Sequence, residues 1–297
     1  MLAVYVPNTG GDFATAHYRP DTGKWTVNKQ ALAWKTDGGE HSPACIGVVV
    51  LPSGRVVLYM NDDGNGSKQI HAVSSDDNGG TWTPYARGVL NQLPSVRIVS
   101  IAVGYSAGVV LMLTGEESDA TLNVSPKMEQ WISYDLGCTF DRVGSEFDAA
   151  TSASRTAEEP FDPFVEGLDN GTFLVGYVDK GSGIAADKAR YRVGVIDPAI
   201  PAYSQDLEYI GSYGPSGPSS IVYDCAEKHT GLDGWRDEDR NCYLLANFYS
   251  DDAHVWTAIL RSEDGGNSWD KYETYGIIYQ QNIHPRKYAA NPVGGRA

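Results

Sequence analysis

The chain has 297 residues, and its 38 acidic and 23 basic side chains give a formal net charge of −15 at pH 7. Since it has no run of Lys or Arg, we expect it to bind neither nucleic acid nor an anionic membrane surface. The longest apolar run, residues 46–51, is far shorter than the ~20 residues that span a bilayer, and no leader-like segment follows Met1. We therefore expect a soluble protein without membrane insertion or a signal peptide.

Short apolar or alternating runs recur along the chain in five groups of about 59 residues each, separated by turns rich in Gly, Pro, Asn and Ser. No stretch shows a sustained 3.6-residue apolar period, so the sequence predicts an all-β chain. In chain order the predicted strands are residues 2–6, 12–18 and 24–27; 45–51, 55–60 and 69–74; 98–103, 109–113 and 130–133; 164–165, 172–178 and 191–196; and 220–223, 242–248 and 254–260.

The first group has only three predicted strands and is short of its innermost one. Residues 274–279 or 283–288, near the C-terminus, could supply that strand. A ring closed by pairing of the N- and C-terminal segments would protect its own sheet edges. The sequence therefore predicts a single β-propeller over residues 1–290, with five four-stranded blades or, as the alternative, six, and a Gly-rich tail at residues 291–297.

An octapeptide of the form Ser-x-Asp-x-Gly-x-Thr-Trp occurs at residues 75–82, and variants of it occur at residues 133–140 and 262–269. Spacing places two degenerate copies around Asp21 and Asp197. In such a turn the Asp accepts backbone N–H bonds, the Gly takes a positive φ and the aromatic ring packs between blades. The predicted structural residues are Ser75, Asp77, Gly79, Trp82, Ser133, Asp135, Gly137, Phe140, Ser262, Asp264, Gly266 and Trp269.

This octapeptide resembles the Asp box, or BNR repeat, of sialidases and related propellers. The resemblance implies a sialidase-like β-propeller in which the boxes lie between the third and fourth strands of each blade, on the rim away from the active face. It also implies a structural role for Asp77, Asp135 and Asp264. Related sequences occur in virion and phage tail proteins, which makes an assembly role an analogy at the level of the fold.

Polar residues lie at the predicted starts of the innermost strands, where the blades of a propeller converge on its axis. A cavity lined by His, Arg and carboxylate side chains could bind an anionic or hydroxylated ligand through charge-assisted hydrogen bonds. A polar, water-filled channel without a ligand is the alternative. The candidate ligand-binding residues at these starts are His41, Arg97, Glu159, His284 and Arg286.

The resemblance to sialidases further implies three arginines that hold the substrate carboxylate, a Tyr–Glu nucleophile pair and an Asp acid/base. The Arg-Ile-Pro motif that carries the first arginine is missing, and the nearest string, which begins at Arg97, follows the first clear box and has Val in place of Pro. If the protein is a hydrolase, Glu159 and Asp37 are the candidate catalytic carboxylates, since both lie at or just before predicted inner strands.

Residues 224–241 form the longest predicted insertion, and we expect this loop to bind a ligand or partner through Trp235. Four cysteines are too few for a disulfide scaffold, so mostly reduced thiols are expected. A disulfide bond between Cys225 and Cys242 is the alternative, if the two residues lie on adjacent strands. Residues 61–66 resemble the start of a calcium loop, but Ala72 stands where the twelfth position needs a carboxylate, so no metal or cofactor is predicted.

Together these features favour a non-catalytic propeller that recognises glycans or forms part of a larger assembly such as a virion or phage tail. An exo-acting, sialidase-like glycoside hydrolase is the alternative. The expected partner is a carbohydrate or a protein, and the chain could act as an oligomer or assembly subunit.

Overall fold

The computed structural model describes residues 2–5, 12–19, 21–31, 45–61, 69–92, 94, 98–116, 127–144, 163–179, 188–205, 208–210, 225–226, 232–237, 239–249, 254–266 and 268–279. These residues are strands and connecting turns, apart from one short 3₁₀ helix at Ala202–Ser204. The prediction of an all-β chain is confirmed. In the described ranges no helix has the length and apolar character needed to cross a membrane.

The strands follow one another as antiparallel meanders. They form five sheets, which we number in chain order: β1-β2-β3, β4-β5-β6-β7, β8-β9-β10-β11, β12-β13-β14-β15 with β16 added on β14, and β17-β18-β19-β20. Their bounds are β1 Leu2–Tyr5, β2 Asp12–Arg19, β3 Lys24–Ala31, β4 Ile46–Val50, β5 Val56–Asn61, β6 Ile70–Ser75, β7 Thr83–Ala86, β8 Ile98–Ser106, β9 Val109–Glu116, β10 Lys127–Ser133, β11 Asp141–Arg142, β12 Phe164–Gly167, β13 Phe173–Asp179, β14 Lys188–Ile196, β15 Glu208–Ile210, β16 Cys225–Ala226, β17 Leu232–Arg236, β18 Cys242–Tyr249, β19 His254–Ser262 and β20 Asp270–Tyr279.

The first strands of neighbouring sheets lie side by side. Strand β4 contacts β8, β8 contacts β12, and β12 contacts β17, so these strands form the inner edge of successive sheets. The approach is close: a Cβ added at Gly47 on β4 would lie 2.6 Å from Ile101 Cγ2 and 2.8 Å from Val103 Cγ2 on β8. A side chain at position 47 would therefore separate sheets 2 and 3.

The hydrophobic core consists of layers between successive sheets. One layer, between sheets 2 and 3, includes Tyr59, Trp131 and Phe140, and the Tyr59 and Phe140 rings meet edge to face at 5.6 Å. A second layer, between sheets 3 and 4, includes Met128 and Phe173. Because both faces of an inner sheet are covered, β5, β9 and β10 read as nearly continuous buried runs.

Each of the three boxes closes the turn between the third and fourth strands of its sheet. In the first box, Asp77 Oδ1 accepts hydrogen bonds from Ser75 Oγ at 2.7 Å and Thr81 N at 2.8 Å, and Oδ2 accepts from Thr81 Oγ1 at 2.8 Å. Ser75 Oγ also accepts from Gly79 N at 2.6 Å. The carboxylates of Asp135 and Asp264 make the corresponding bonds at 2.6–2.9 Å.

The two degenerate copies also lie in turns after the strand that precedes the last one of their sheet. Asp197 follows β14, and its Oδ1 accepts a bond from Ala199 N at 2.9 Å. The side chain of Gln205 closes the same turn by donating to the carbonyl oxygens of Asp197 and Ile200 at 3.0 and 2.8 Å. Asp21 lies in the turn between β2 and β3.

Side chains of one sheet hold the box turn of the next sheet. Thr15 Oγ1 of sheet 1 donates to the carbonyl oxygen of Gly79 at 3.2 Å, and Tyr59 Oη of sheet 2 donates to that of Gly137 at 3.0 Å. Gln130 of sheet 3 donates to the carbonyl oxygens of Pro198 and Ile200 in sheet 4 at 2.8 and 3.1 Å. Three further side chains also donate to a backbone carbonyl oxygen of the next sheet. Asn61 donates to Ile98, Tyr85 to Leu136 and Ser106 to Leu168.

Two details of the sequence prediction are wrong, and a third is not tested. Residues 224–241 are not a structureless insertion, because they contain β16 and β17, and β17 is the inner strand of sheet 5. The strand predicted at residues 220–223 lies outside the described residues. Residues 274–279 cannot complete sheet 1, because they belong to β20 and pair with β19. Sheet 1 accordingly has three described strands, and the described sheets do not close into a ring.

The Cys225–Cys242 disulfide does not form. Cys242 carries a free thiol, buried in β18, and its backbone pairs with Arg236 and Ser262. Cys225 pairs through its backbone with Ala189 of β14. Cys45 and Cys138 are also free thiols.

The contact between sheets 2 and 3 can be tested at Gly137. Gly137→Ala places a Cβ in the left-handed backbone region (φ +87°) and against the hydroxyl of Tyr59. Gly54→Ala is the matched control, because Gly54 has φ +84° and open space around its added Cβ. We expect both variants to lose about 1–2 kcal/mol of unfolding free energy from the backbone and Gly137→Ala to lose about 1–3 kcal/mol more from the displaced ring.

Equilibrium denaturation of both variants with urea measures the difference. Equal losses would show that the Tyr59 contact does not hold the box turn.

Candidate functional site

Six of the residues predicted to bind a ligand or to catalyse lie outside the described residues, and their roles stay predictions. They are Asp37, His41, Arg97, Glu159, His284 and Arg286.

Trp235, the seventh predicted residue, lies in strand β17 and not in a loop. Its ring stacks on Tyr243 of β18 with the centroids 5.4 Å apart and the planes 10° from parallel. Tyr243 Oη donates to Asp237 Oδ2 at 2.9 Å, which fixes the second ring. The half-buried pair presents a rigid aromatic surface, of the kind that stacks on the apolar face of a sugar. Its part in ligand binding remains a prediction.

A polar cluster that the sequence analysis did not predict lies between the inner strands β12 and β17. The ring of Phe164 on β12 packs where a Cβ of Gly234 on β17 would be, so this face of β12 points toward sheet 5. Glu166 is two residues further along β12, and Arg236 is two residues beyond Gly234, so both project into the same interface. Arg236 Nη2 binds Asp169 Oδ1 at 2.7 Å.

The environment of Glu166 favours its protonated form. Burial raises the pKa of its carboxyl to about 7; the nearby guanidinium of Arg236 opposes this increase, and the charge of Asp233 adds to it. At neutral pH the carboxyl is therefore divided between its protonated and ionised forms. A carboxyl with this pKa can act as a proton donor or acceptor near neutrality.

The thiol of Cys242 lies close to the same cluster, opposite Arg236 in the β17–β18 ladder. Burial raises the pKa of Cys242 to about 11, with Arg236 opposing the increase and Glu166 adding to it. The thiol therefore stays protonated at neutral pH and is a poor nucleophile or metal ligand there.

A second buried polar cluster lies in sheet 3, where β9 ends and β10 begins. Lys127 Nζ is 3.6 Å from Glu116 Oε2 and 3.8 Å from Glu129 Oε1, and Arg142 Nη1 is 3.2 Å from Glu129 Oε1. The side chains of both glutamates are fully buried. The two negative charges of the glutamates are balanced by the two positive charges of Lys127 and Arg142. We therefore assign this cluster a structural role in sheet 3.

Within the described part of the chain, no group of three or more His, Cys, Asp or Glu side chains is arranged to hold a metal ion.

Comparisons with known proteins identify the fold. No protein-family model matches the chain, and no curated protein sequence matches it. A Penicillium chrysogenum α-L-arabinanase, solved with arabinobiose, matches with a TM-score of 0.58 and 13% identity over 88% of this chain and 73% of the arabinanase. A Hadza microbial sialidase matches with a TM-score of 0.55 and 13% identity over 90% of this chain and 54% of that one.

A Trypanosoma rangeli sialidase, solved with the inhibitor DANA, matches with a TM-score of 0.54 and 11% identity over 89% of this chain and 43% of that one. This chain thus spans about half the length of the sialidases it resembles. At these identities the similarity shows the fold alone, which is that of a β-propeller, as the sequence predicts.

The Glu166 cluster predicts a pH dependence of stability. The folded protein retains a proton on Glu166 up to a pH of about 7, whereas the ordinary pKa is 4.5. The contribution of the protonated Glu166 to the free energy of unfolding is therefore fully present below pH 4.5, and it is lost as the pH rises toward 7. We expect the unfolding free energy of Glu166→Gln to fall less between pH 5 and pH 8 than that of the wild type.

Thermal and urea unfolding at several pH values in this window measure the effect. Glu263→Gln, which removes an exposed carboxyl from a box turn, is the control and should retain the wild-type slope. Parallel slopes for wild type and Glu166→Gln would contradict the assigned protonation.

Proposed function

We propose that this chain is a carbohydrate-recognising β-propeller that binds glycans without hydrolysing them. The observation that carries the proposal is the shared fold, which covers 88% of this chain in the comparison with the arabinobiose-bound arabinanase and 89% in that with the DANA-bound sialidase. Propeller ligands bind where inner strands converge, and the residues we propose for binding are His41, Arg97, Glu159, Trp235, His284 and Arg286.

Two observations favour binding over hydrolysis. The sequence lacks the Arg-Ile-Pro motif that its resemblance to sialidases would imply. On the inner strand β17, Arg236 is held by Asp169 at 2.7 Å, so its guanidinium is engaged within the protein instead of free for a substrate carboxylate. On the opposite face of the same strand, the Trp235–Tyr243 pair offers an apolar stacking surface that does not depend on substrate charge.

We also propose that the propeller has five blades and is closed by the C-terminal residues. Five sheets follow one another in chain order, and sheet 1 alone has three described strands. Strand β20 completes sheet 5 and ends at Tyr279, and 18 further residues follow it. A strand from residues 283–288 would pair with β1 and cover the exposed side chains of Tyr18, Trp25 and Val27 by bringing sheets 1 and 5 together.

An exo-acting, sialidase-like glycoside hydrolase is the second candidate function. Glu166 supports it, because a carboxyl with a pKa of about 7 near a second carboxylate, Asp233, matches the requirement for a general acid. Glu159 and Asp37 are the other carboxylates that we propose for this role. The assembly role in a virion or phage tail has no support in the fold or the comparisons and stays a prediction.

Glycan binding and hydrolysis can be separated in one experiment. Purified protein is applied to immobilised sialyllactose, lactose and arabino-oligosaccharides, and both retained protein and released free sugar are measured. We expect retention without release. Trp235→Ala should weaken retention about tenfold through the lost stacking surface, and Arg97→Ala should weaken retention of the sialylated glycan.

Tyr134→Ala, which removes an exposed aromatic ring from the second box turn, is the matched control and should bind normally. Sugar release that disappears in Glu159→Gln or Glu166→Gln but persists in Glu263→Gln would establish the hydrolase instead. Neither retention nor release from any of these glycans would overturn the carbohydrate proposal.

Ring closure predicts that the two C-terminal segments differ in importance. A chain truncated after Tyr279 loses the proposed closing strand, so its Tm should fall by several degrees or more. A chain truncated after Ala290 loses only the Gly-rich tail and should keep the wild-type Tm. Differential scanning calorimetry measures both, and an unchanged Tm for the shorter chain would exclude closure by residues 280–290.

A further inference from the structure

The connection from sheet 2 to sheet 3 is bonded to both sheets. Val89 N donates to the carbonyl oxygen of Ile70, at the start of β6, at 3.0 Å. The carbonyl oxygen of Val89 accepts a bond from Phe140 N of the second box at 2.8 Å, and Asn91 N donates to the carbonyl oxygen of Phe140 at 3.0 Å. We call residues 88–91 the clasp, because they join β6 of sheet 2 to the box of sheet 3.

A histidine on β6 binds the first residue of the clasp. His71 Nδ1 accepts a hydrogen bond from Gly88 N at 3.0 Å. The direction of this bond is fixed, because a backbone N–H can only donate. Nδ1 therefore carries no proton, and the proton of the neutral ring lies on Nε2. The bond to Gly88 exists only while the imidazole is neutral.

The strands packed against β6 bring no other group that changes charge near neutral pH. His71 lies opposite Met60 in the β5–β6 ladder, and Leu58 lies on the same face of β5. On β7 the titratable side chain is Tyr85, whose hydroxyl is bonded to sheet 3. None of β5, β6 and β7 contains an acidic residue, and Arg87, which precedes the clasp, is exposed. Of the side chains on these three strands, only His71 titrates between about pH 5 and 8.

We propose that His71 is an acid-sensitive switch: when Nδ1 gains a proton, the Gly88 N–H loses its acceptor and the clasp loosens where it leaves sheet 2. A protonated imidazole has an N–H on each nitrogen, so the ring and the Gly88 amide would then face one another as two donors. The bonds of Val89 and Asn91 join backbone groups and do not titrate. We therefore expect a local opening at Gly88, and no unfolding of the sheets.

The direction of this pH effect is opposite to that of Glu166. The bond between Gly88 and the neutral ring stabilises the fold at pH 7.5 and is lost as the pH falls to 5. The contribution of the protonated Glu166 is lost as the pH rises. A measurement of global stability would add the two effects together, so the switch has to be tested at the Gly88 amide itself.

Amide hydrogen exchange of the full chain, followed by NMR at pH 7.5 and pH 5.0, tests the proposal. Exchange rates are converted to protection factors, which removes the intrinsic pH dependence of exchange. We expect the protection of Gly88 to fall about fivefold or more at the lower pH. Gly79 N, in the same sheet, donates to the non-titrating Ser75 Oγ at 2.6 Å and should keep its protection. Nitrogen-15 spectra of the His71 ring should show the proton on Nε2 at pH 7.5 and on both nitrogens at pH 5.0.

His71→Asn is the matched variant, because Asn Oδ1 is as many bonds from Cβ as His Nδ1 and accepts at every pH. Its Gly88 amide should be protected equally at both pH values. His71→Leu has no acceptor, so its Gly88 amide should exchange rapidly at both. The proposal is overturned if wild-type Gly88 keeps its protection at pH 5.0, if Nδ1 carries the proton at pH 7.5, or if His71→Asn shows the same fall. An equal fall at Gly79 would also overturn it, by showing a general loss of stability.

Discussion

The turn between the third and fourth strands of a sheet makes two kinds of hydrogen bond: those that close the turn itself, and those that join it to the preceding sheet. Within the turn, the Asp77 carboxylate takes up a backbone N–H and two hydroxyl groups, so the loop closes on itself. The carbonyl oxygen of Gly79 then points outward and receives Thr15 from the preceding sheet. The second box makes the same two interactions: the Asp135 carboxylate accepts a bond inside the turn, and the carbonyl oxygen of Gly137 accepts one from Tyr59 of the preceding sheet. Without the internal bonds, the carbonyl oxygen that joins the sheets would have no fixed position.

Two carboxyl groups of this protein, those of Asp77 and Glu166, lie in opposite electrostatic environments. At the rim, hydrogen bonds from Thr81 and Ser75 lower the pKa of Asp77 to about 2, and that charge is satisfied where it stands. Between the inner strands, burial raises the pKa of Glu166 to about 7. A satisfied carboxylate stabilises a turn, whereas a carboxyl that is costly to ionise retains a proton that it can exchange. This contrast directs attention to the inner strands as the place for chemistry or recognition.

The sequence predicted what depends on short-range interactions. The boxes are eight-residue units whose hydrogen bonds stay inside the motif, and apolar runs such as those of β5 and β9 mark buried strands without ambiguity. Strand β17 was missed because Leu-Asp-Gly-Trp-Arg has neither alternation nor an apolar run; its Gly234 is matched by the Phe164 ring, 70 positions earlier in the chain. Glu166 escaped prediction for a similar reason, since its raised pKa arises from burial against sheet 5.

Several of the side chains that join the sheets donate in the same direction. Thr15, Tyr59 and Gln130 each donate a hydrogen bond to a backbone carbonyl oxygen of the next sheet in the chain. During synthesis the N-terminal sheet leaves the ribosome first. The side chain that binds each of these turns is therefore synthesised before the turn itself. This order allows the sheets to pack one after another during synthesis, each new box turn binding to a side chain of the sheet before it.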